Sequence, residues 1–295
     1  MHRKNCLITG ANSGIGKAAA LQLAQLGFHV LVGSRSIERG MSAVAEVKAM
    51  AKSDYVELVQ IDLSSRDSIR EASQFIKSKF HKLDVLVHNA AEFDVSRKKP
   101  ALTPEGIESV WATNHLGPVL LTHQLMDLLQ QSDQGRIVTV ASKGLVLHPG
   151  LTINLEDPEF KRGGYSVPGA YYQSKLAQVM YTLWLSDKLT GTRVTANCIR
   201  VTNVQIDISR YPHLTRWMKF MYSIKRRFSI TPEQMAMTYV HLAASPQLNT
   251  TTGKYFDEKN RIVNPSRYSQ NKANIDQLMR LTHQYLPEIA LEVNP

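Results

Sequence analysis

The side chains of Tyr171 and Lys175 have the types and the spacing that proton transfer requires. They lie four residues apart in Tyr171-Tyr172-Gln173-Ser174-Lys175, so on a helix they share one face. A free tyrosine titrates at about pH 10, and a nearby ammonium favours the phenolate and lowers that pKa. The pair therefore predicts a general acid and base matched to neutral pH. Tyr172 lacks this spacing from Lys175, and we expect its side chain to pack against neighbouring residues and to take no part in proton transfer.

Two further polar residues, Ser142 and Asn114, are candidates for the same chemistry. Ser142 ends an apolar run in Val140-Ala141-Ser142; its hydroxyl would hold a substrate oxygen beside Tyr171, or it is a serine that closes a turn. Asn114 lies inside a long helical pattern, where asparagine is mildly unfavourable. A kinked turn would let Asn114 hold a water molecule that reaches Lys175. The alternative is an asparagine that bonds to neighbouring backbone.

The elements that must position these side chains alternate between strands and helices. Several apolar runs are nearly continuous, as in strands that are covered on both faces. The alternation predicts parallel βαβ units in a Rossmann-like, doubly wound α/β sheet of about seven strands with helices on both faces. The predicted strands are 5–9, 29–33, 55–61, 85–89, 136–142, 193–201 and 254–256. The predicted helices are 16–26, 38–51, 66–79, 105–129 and 171–189, followed by one that starts at Thr231 and one near 274–285. Ligands bind beyond the carboxyl ends of such strands.

A glycine-rich loop follows the first predicted strand and precedes the first helix. Its sequence is Thr9-Gly10-Ala11-Asn12-Ser13-Gly14-Ile15-Gly16. Glycines here permit a tight turn, a close approach of the backbone to a pyrophosphate and close packing of helix on strand. The helix N-terminus presents free N–H groups to the phosphates. The candidate cofactor-binding residues are Gly10, Asn12, Ser13, Gly14, Ile15 and Gly16.

The end of the second predicted strand indicates which dinucleotide binds. NAD sites usually place Asp or Glu here to hold the ribose 2′-hydroxyl, but this strand ends in Gly33-Ser34-Arg35. A guanidinium pairs with a 2′-phosphate, and Arg39 would add charge. The pattern predicts NADP(H); the alternative is that Arg35 is only a solvated surface residue. The bound cofactor would also affect Tyr171: in its oxidised form the nicotinamide ring is positively charged, and this charge would lower the pKa of Tyr171 together with Lys175.

The ends of the third and fourth predicted strands carry the remaining cofactor candidates. Asp62 precedes Leu63 and would accept a hydrogen bond near the adenine, or else cap a helix. Asn89, Ala90 and Ala91 follow the fourth strand, where small residues let the backbone lie against the cofactor. Asn89 has a second interpretation, as a residue that ties neighbouring strands together.

Together these motifs resemble the short-chain dehydrogenase/reductases of the single-domain type. The resemblance covers about Lys4 to Gly253. It is nearest to the retinol-dehydrogenase-like branch, which includes light-dependent protochlorophyllide reductases. The motifs that carry it are the glycine loop, Leu102-Thr103-Pro104-Glu105-Gly106, Asn114-His115-Leu116-Gly117 and Ala170-Tyr171-Tyr172-Gln173-Ser174-Lys175-Leu176-Ala177. The resemblance implies a catalytic tetrad of Asn114, Ser142, Tyr171 and Lys175, and a contact of Lys175 with the nicotinamide ribose.

One departure from the family pattern follows the sixth predicted strand. The family usually has Pro-Gly there, and its backbone holds the nicotinamide carboxamide. This chain has Arg200-Val201. The resemblance then leaves Thr202, Asn203 or Val204 to supply that contact.

In this family the region after that strand covers the substrate. We expect a lid at about 203–231, in which aromatic and apolar residues alternate with basic ones over 216–228. A lid of this composition suits a bulky apolar substrate. Three interpretations remain for its basic apolar face: packing on the body, peripheral contact with a membrane, or contact with an anionic partner. The extension at about 257–295 would cover the active site or form a subunit contact, as in a homo-oligomer.

The composition is typical of a globular protein, and the lengths of the apolar segments lead us to expect a cytoplasmic location. The 295 residues are 43% hydrophobic, and no linker divides them, so we expect a single NAD(P)-binding domain over 1–295. The N-terminal apolar stretch is too short for a signal peptide, and no run is long enough to cross a bilayer. The two cysteines, Cys6 and Cys198, read as buried thiols, not as a disulfide framework.

Three functions are compatible with parts of this pattern. The first is an NADP(H)-dependent oxidoreductase that interconverts a carbonyl and an alcohol on an apolar small molecule. The second is a non-catalytic NADP(H)-binding sensor or scaffold, which only Arg200-Val201 favours; a pure binder has no need of Tyr171 together with Lys175. The third, nucleic-acid binding, follows only from the net charge of +10. The chain lacks zinc-ligand spacing and an obvious recognition helix, so no nucleic-acid or metal site is predicted.

Overall fold

The strands form one parallel sheet in the part of the chain that the computed structural model describes, residues 3–205 and 229–289. The strand order is β3-β2-β1-β4-β5-β6-β7, the order of a doubly wound sheet in which the chain reverses beside β1. The strands are β1 (Asn5–Thr9), β2 (His29–Ser34), β3 (Val56–Gln60), β4 (Val85–His88), β5 (Gly135–Ser142), β6 (Val194–Val201) and β7 (Tyr255–Phe256). The predicted fold class is confirmed.

Helices cover both faces of this sheet. They are α1 (Gly14–Gln25), α2 (Ile37–Ala51), α3 (Arg66–Lys79), α4 (Ser109–Trp111), α5 (Gly117–Gln130), α6 (Val167–Lys188), α7 (Pro232–Ala244), α8 (Arg267–Gln270) and α9 (Lys272–Tyr285). A π-helical turn (Ala112–Leu116) joins α4 to α5, and short 3₁₀ helices span Lys143–Leu147 and Pro246–Leu248. No described helix has both the length and the apolar character needed to cross a membrane.

Alternate residues of each strand pack into two hydrophobic layers, one on each side of the sheet. Leu7 belongs to the layer under α3, α5, α6 and α9, whereas Ile8 belongs to the layer under α1, α2 and α7. Both side chains are fully buried. Burial of a side chain of this size contributes about 1.5–3 kcal/mol, which explains why the strands are apolar on both faces.

The start of α6 differs from its prediction by four residues. Ser166 caps this helix by accepting a hydrogen bond from the N–H of Gly169 at 3.1 Å, and Pro168 fits the first turn. The helix therefore begins at Val167 and already has a turn in place before Tyr171. The carboxyl edge of the sheet and the first turns of α6 meet at the same end of the molecule.

The single helix predicted over 105–129 is wrong. Gly106 adopts a φ of 75° in a turn, and the buried carboxylate of Glu108 accepts hydrogen bonds from the N–H groups of Val110 (3.1 Å) and Trp111 (2.8 Å). The helix therefore starts at Ser109 and is interrupted by the π-turn, which contains Asn114. This is the kinked turn that the helix-interior asparagine had suggested.

The last helix, α9, packs against α6 and the π-turn. Leu278 and Met279 are buried in the layer that α6 shares, and His115 Nε2 lies 2.8 Å from Thr282 Oγ1. Both partners of this hydrogen bond are fully buried. The C-terminal helix thus anchors the residue next to Asn114.

Candidate active site

The glycine loop after β1 has a backbone shape that suits a phosphate. Gly10 has a φ of 64°, and a Cβ there would lie 2.8 Å from Ala90 Cα. A Cβ on Gly16 would lie 2.8 Å from the Gly10 carbonyl oxygen, whereas a Cβ on Gly14 would meet nothing within 4 Å. Ser13 caps α1 in an extended conformation without a side-chain hydrogen bond, and the first turn has no acidic residue. The N–H groups of this turn and the open space at Gly14 fit a pyrophosphate.

The remaining loop residues stay at the surface of this cradle. Asn12, Ser13 and Ile15 are partly exposed, and Ala11 N–H is bonded to the Gly33 carbonyl at 3.1 Å. The end of β2 therefore lies beside the loop, as a dinucleotide site requires.

Arg35 and Arg39 are exposed beyond β2. The Arg35 side chain is 74% exposed, and its Nε lies 3.9 Å from Asp62 Oδ2 at the end of β3. The Arg39 N–H donates to Ser36 Oγ, the N-cap of α2. Both guanidinium groups therefore stay available to an anion at this edge.

Asp62 is not a helix cap. Its Oδ1 accepts hydrogen bonds from Ser64 N (2.9 Å) and Ser64 Oγ (2.7 Å), and Ser65 is the N-cap of α3. The following Leu63 is buried, and a Cβ on Gly117 would collide with its carbonyl oxygen. The glycine of the Asn114–Gly117 motif thus lets α5 approach the end of β3.

Asn89 connects the glycine loop after β1 with α7, in agreement with the interpretation that it ties neighbouring strands and elements together. Its Nδ2 donates to the carbonyl oxygens of Thr9 (2.9 Å) and Gly10 (3.2 Å). Its Oδ1 accepts from the buried Tyr239 hydroxyl of α7 at 3.1 Å. Ala90 lies against the glycine loop, with its N–H bonded to Thr9 Oγ1 at 3.1 Å, and Ala91 is exposed. The side chain of Asn89 therefore shapes the loop, and Ala90 and Ala91 face the surface there.

Tyr171 and Ser142 meet at the carboxyl edge of the sheet. Burial raises the pKa of Tyr171 to about 12, although a hydrogen bond with the Ser142 side chain opposes the rise. Ser142 Oγ also accepts the Gly144 N–H at 3.1 Å and caps the 3₁₀ helix. Ser142 thus closes a turn and also contacts Tyr171, whereas its role in holding a substrate oxygen stays a prediction.

Lys175 is buried beneath Tyr171. Its Nζ donates to the Val140 carbonyl oxygen at 2.8 Å and lies 5.7 Å from the centre of the Tyr171 ring. Burial lowers the pKa of Lys175 to about 8. In the cofactor-free chain the pKa of Tyr171 is raised because desolvation of the phenol is the largest contribution. The lowering of this pKa by Lys175 together with a bound nicotinamide stays a prediction.

Asn114 holds the loop after β4 in place. Its Oδ1 accepts the Glu92 N–H at 2.7 Å, and its Nδ2 donates to the Glu92 carbonyl oxygen at 3.1 Å. The same Nδ2 lies 3.1 Å from Ser174 Oγ, one residue before Lys175. The alternative of an asparagine bonded to neighbouring backbone is therefore realised, and the contact with α6 is made at Ser174.

Phe93 is a site residue that the sequence reasoning missed. Its ring lies 4.4 Å from the Tyr171 ring and is partly exposed at 41%. Val146 and Leu147, in the 3₁₀ helix that Ser142 caps, are exposed. Tyr172 packs against His148 with 4.8 Å between ring centres. The signal was available: Phe93 follows the fourth strand by five residues, in a loop that crosses the carboxyl edge.

The residues in place of Pro-Gly end β6. Val201 pairs with Ser142 and Arg200 pairs with Ala141. Thr202 is partly buried, and Val204 forms a bridge with Ile230 just before α7. Most of the predicted lid, residues 206–228, lies outside the described residues.

The comparisons with known proteins agree with this arrangement. The family model for short chain dehydrogenase matches residues 4–151. Human retinol dehydrogenase 14 is 34% identical over 88% of this chain and 79% of its own length. Human retinol dehydrogenase 11 is 35% identical over 86% of this chain and 77% of its own length.

Solved structures show the same fold. A protein from Mycobacterium Paratuberculosis superposes with a TM-score of 0.74 and 28% identity, over 98% of this chain and 95% of its own. A short chain dehydrogenase from Escherichia coli CFT073 complexed with NADPH has a TM-score of 0.66 and 24% identity, over 88% of this chain and 98% of its own. This chain therefore belongs to the short-chain dehydrogenase/reductase family, in its retinol-dehydrogenase-like branch, and is an oxidoreductase of the carbonyl–alcohol class.

Proposed function

We propose that this oxidoreductase uses NADP(H) and acts on an apolar carbonyl or alcohol. The observation that carries the proposal is the convergence of Tyr171, Ser142 and Phe93 at one end of the sheet, beside a cradle for phosphates. The phenol has a hydroxyl partner on one side and an exposed aromatic wall on the other. A reacting oxygen bound there would lie between a proton donor and an apolar surface.

NADP(H) is favoured by the charge at the end of β2. Arg35 is exposed, and its nearest carboxylate, Asp62, is 3.9 Å away and already accepts two hydrogen bonds from Ser64. A 2′-phosphate would gain a planar, charged donor from Arg35, with Arg39 close by in sequence. The cradle at Gly10, Asn12, Ser13, Gly14, Ile15 and Gly16, with Leu63, Ala90 and Ala91 along its rim, would hold the rest of the cofactor. Thr202 and Val204 remain the candidates for the carboxamide contact.

The proposed catalytic residues are Asn114, Ser142, Tyr171 and Lys175. When bound, the nicotinamide supplies or accepts the hydride. In reduction, the neutral phenol of Tyr171 gives its proton to the carbonyl oxygen, which the Ser142 hydroxyl holds. A raised pKa keeps that phenol protonated in the cofactor-free chain. The positive charges of Lys175 and of a bound, oxidised nicotinamide would bring its pKa closer to the operating pH, as efficient proton transfer requires. Lys175 contributes positive charge behind the phenol, and Asn114 fixes Glu92, and thereby Phe93, relative to α6.

An apolar substrate is supported by an exposed ring against Tyr171 and by exposed apolar side chains in the 3₁₀ helix that follows Ser142. Phe93, Val146 and Leu147 are all more than 40% exposed, and such residues at the mouth of a polar site favour an apolar ligand. The relatives named retinol dehydrogenases agree with an apolar alcohol or aldehyde of this kind.

A spectrophotometric panel tests the function. Purified protein with NADPH is offered aliphatic, aromatic and isoprenoid aldehydes, ketones and quinones, and loss of NADPH absorbance is followed against NADH controls. We expect turnover that favours NADPH and rises with the apolar size of the substrate. NADPH binding without turnover on the whole panel would favour the alternative of a non-catalytic sensor or scaffold.

The remaining expectations concern the location and assembly of the protein. We propose a cytoplasmic protein. For residues 216–228, which lie outside the described residues, packing on the body and peripheral contact with anionic membranes both stay predictions, and so does a homo-oligomer. Pelleting with phosphatidylserine and phosphatidylcholine vesicles tests the membrane contact, because only anionic vesicles should retain the protein. Light scattering after size-exclusion chromatography measures the oligomeric state.

A further inference from the structure

Arg200 lies on the same face and edge of the sheet as the candidate active site. It pairs with Ala141 on β5, one residue before Ser142. Cys198, two positions earlier on β6, packs in a small cluster with Ala141 on the α6 side. Side chains two apart on a strand share a face, so Arg200 also projects to the side of α6, the helix that carries Tyr171.

The acidic residues near Arg200 are already neutralised by other cations. Asp257 is fully buried, and its Oδ2 accepts from Arg261 Nε (2.9 Å) and Nη2 (2.7 Å). Glu258 Oε1 accepts from Lys143 Nζ at 2.6 Å. Arg200 Nη2 lies 3.9 Å from Asp257 and 3.8 Å from Glu258, beyond hydrogen-bond distance. Three cations, Lys143, Arg200 and Arg261, thus face the two anions Asp257 and Glu258. Among the residues that the structure describes, Arg200 has only these two longer ion pairs.

Three buried polar atoms in this group have no hydrogen-bond partner in the described part of the chain. They are Arg200 Nε, the Tyr255 hydroxyl and Glu258 Oε2. Only 14% of the Arg200 side chain is exposed. Tyr255 pairs with Cys198 across β6 and β7, and Arg200 opposes the rise that burial causes in the pKa of Tyr255. A buried donor without a hydrogen bond costs free energy. The Arg200 guanidinium and the Tyr255 hydroxyl would therefore gain from a ligand that supplies an acceptor.

The sheet order separates this group from the apolar side of the site. Phe93 follows β4, Ser142 ends β5 and Arg200 nearly ends β6, and these three strands are neighbours in that order. A substrate whose reacting oxygen lies at Ser142 would thus have an apolar wall toward β4. Toward β6 it would meet a guanidinium that neither Asp257 nor Glu258 approaches within hydrogen-bond distance. Adjacent strands are about 4.8 Å apart, so a ring or a short chain spans the interval.

We propose that Arg200, with the Tyr255 hydroxyl, forms a subsite for a carboxylate at the far end of the carbonyl substrate. A guanidinium fits a carboxylate in a planar, bidentate way, and the carboxylate neutralises the surplus charge. The subsite takes the position where the family usually has Pro-Gly. The inference rests on the proposed function and narrows its substrate class to aldehydes or ketones with an apolar body and an acidic end.

Two substrates of the same shape test the subsite. NADPH oxidation is measured with 4-carboxybenzaldehyde and with 4-methylbenzaldehyde, for the wild type and for Arg200→Met. We expect kcat/KM for the carboxylate to fall about tenfold or more, as for loss of a charged hydrogen bond, and kcat/KM for the methyl compound to change less than about twofold. Arg200→Lys should retain part of the preference, because it keeps the charge but not the planar fork. Arg70→Met, which removes an equal charge from α3, should leave the ratio unchanged.

A binding measurement separates this inference from the proposed function. Calorimetric titration of 4-(hydroxymethyl)benzoate into the protein with NADPH needs no turnover, and the wild type should bind it about tenfold more tightly than Arg200→Met does. The NADPH dissociation constant and the urea midpoint of each variant report on cofactor binding and folding. Equal losses for both aldehydes with weaker NADPH binding would assign Arg200 to the cofactor and overturn the subsite. An unchanged ratio in a folded variant overturns it as well.

Discussion

The ammonium nitrogen of Lys175 lies 2.8 Å from the carbonyl oxygen of Val140, to which it donates a hydrogen bond. This bond ties α6 to β5 next to Ser142, so the two elements that carry the candidate proton donor and its hydroxyl partner are joined through one buried charge. Lys175 is only 2% exposed. Burial disfavours the charged form of this side chain, and the single hydrogen bond to Val140 offsets that cost only in part.

Lys175 is therefore expected to make the stability of the protein depend on pH. Burial lowers its pKa from 10.5 to about 8, a shift that corresponds to about 3 kcal/mol. Below pH 8 the ammonium is charged in both the folded and the unfolded chain, and folding carries the full cost of burying it. Between pH 8 and 10.5 the folded chain has lost this proton and the unfolded chain has not, so the contribution of Lys175 to stability rises with pH.

Urea unfolding of the cofactor-free wild type and of Lys175→Met at pH 7 and pH 10 measures this effect. The variant lacks the buried charge, so we expect it to be the more stable of the two at pH 7, by up to about 3 kcal/mol. That advantage should shrink toward pH 10. A difference that stays constant between the two pH values would contradict the lowered pKa. The comparison within one pair cancels the titration of groups that do not interact with Lys175, such as Cys6, whereas Cys198 is coupled to Lys175 and is removed in both chains by Cys198→Ala.

Removal of the Tyr171 hydroxyl should abolish turnover while the cofactor still binds. Tyr171→Phe keeps the ring against Phe93, so the wall of the site is retained. General acid–base groups contribute about 10²–10⁴-fold, and we expect kcat to fall by that factor. NADPH binding, followed by fluorescence, should change less than about threefold. Tyr172→Phe is the matched control and should keep its activity, because Tyr172 packs against His148; equal losses in both variants would count against Tyr171 as the acid.

Replacement of Arg35 should reduce the discrimination between the two dinucleotides. The side chain is 74% exposed, so the change in Arg35→Ser should not affect folding. A charged hydrogen bond to the 2′-phosphate is worth about 1.5–3 kcal/mol. We expect the dissociation constant for NADPH to rise by about tenfold or more and that for NADH to stay nearly the same. Fluorescence titrations at two salt concentrations measure both constants, and an unaltered NADPH affinity would leave Arg35 as a solvated surface residue.

Phe93 should control which substrates are accepted. In Phe93→Ala the face of Tyr171 loses an aromatic neighbour whose ring centre is 4.4 Å away. Burying the ring of an aromatic substrate against this wall contributes about 1 kcal/mol, so KM for apolar aldehydes should rise about fivefold with little change for small ones. Phe75→Ala on α3 removes an equally exposed ring far along the sheet and serves as the control. A uniform loss for small and large aldehydes would instead indicate a general disturbance of Tyr171.

Several site residues could be found from sequence because local rules determine them. Gly10 and Gly16 stand at a strand-to-helix turn, and their close contacts with Ala90 and the Gly10 carbonyl confirm the reason for glycine. The kink at Asn114 was visible as an unfavourable residue in a helical pattern, and it coincides with the π-turn. The start of α6, by contrast, was missed because its cap, Ser166, lies outside the motif that drew attention to Tyr171.

Other residues could not be found in this way because their roles depend on partners far along the chain. The bond of Asn114 to Glu92 joins residues 22 apart, and the contact of Lys143 with Glu258 joins residues 115 apart. The roles proposed for Phe93 and Arg200 follow only from the residues that surround them in the folded chain. Neither the spacing of charges nor the hydropathy pattern encodes such neighbours.

The amino-acid sequence alone determined the alternating elements, the parallel sheet, the glycine-rich loop and the order of Asn114, Ser142, Tyr171 and Lys175, because periodicity, glycine turns and strand ends are local properties. Only the tertiary structure decided that Lys175 bonds to Val140, that the pKa of Tyr171 rises in the protein chain, and that Arg200 lies beyond hydrogen-bond distance of Asp257 and Glu258. The physical reason is that desolvation and hydrogen-bond partners arise from strand register and from helix packing across the sheet, and these bring together residues that no short stretch of sequence contains.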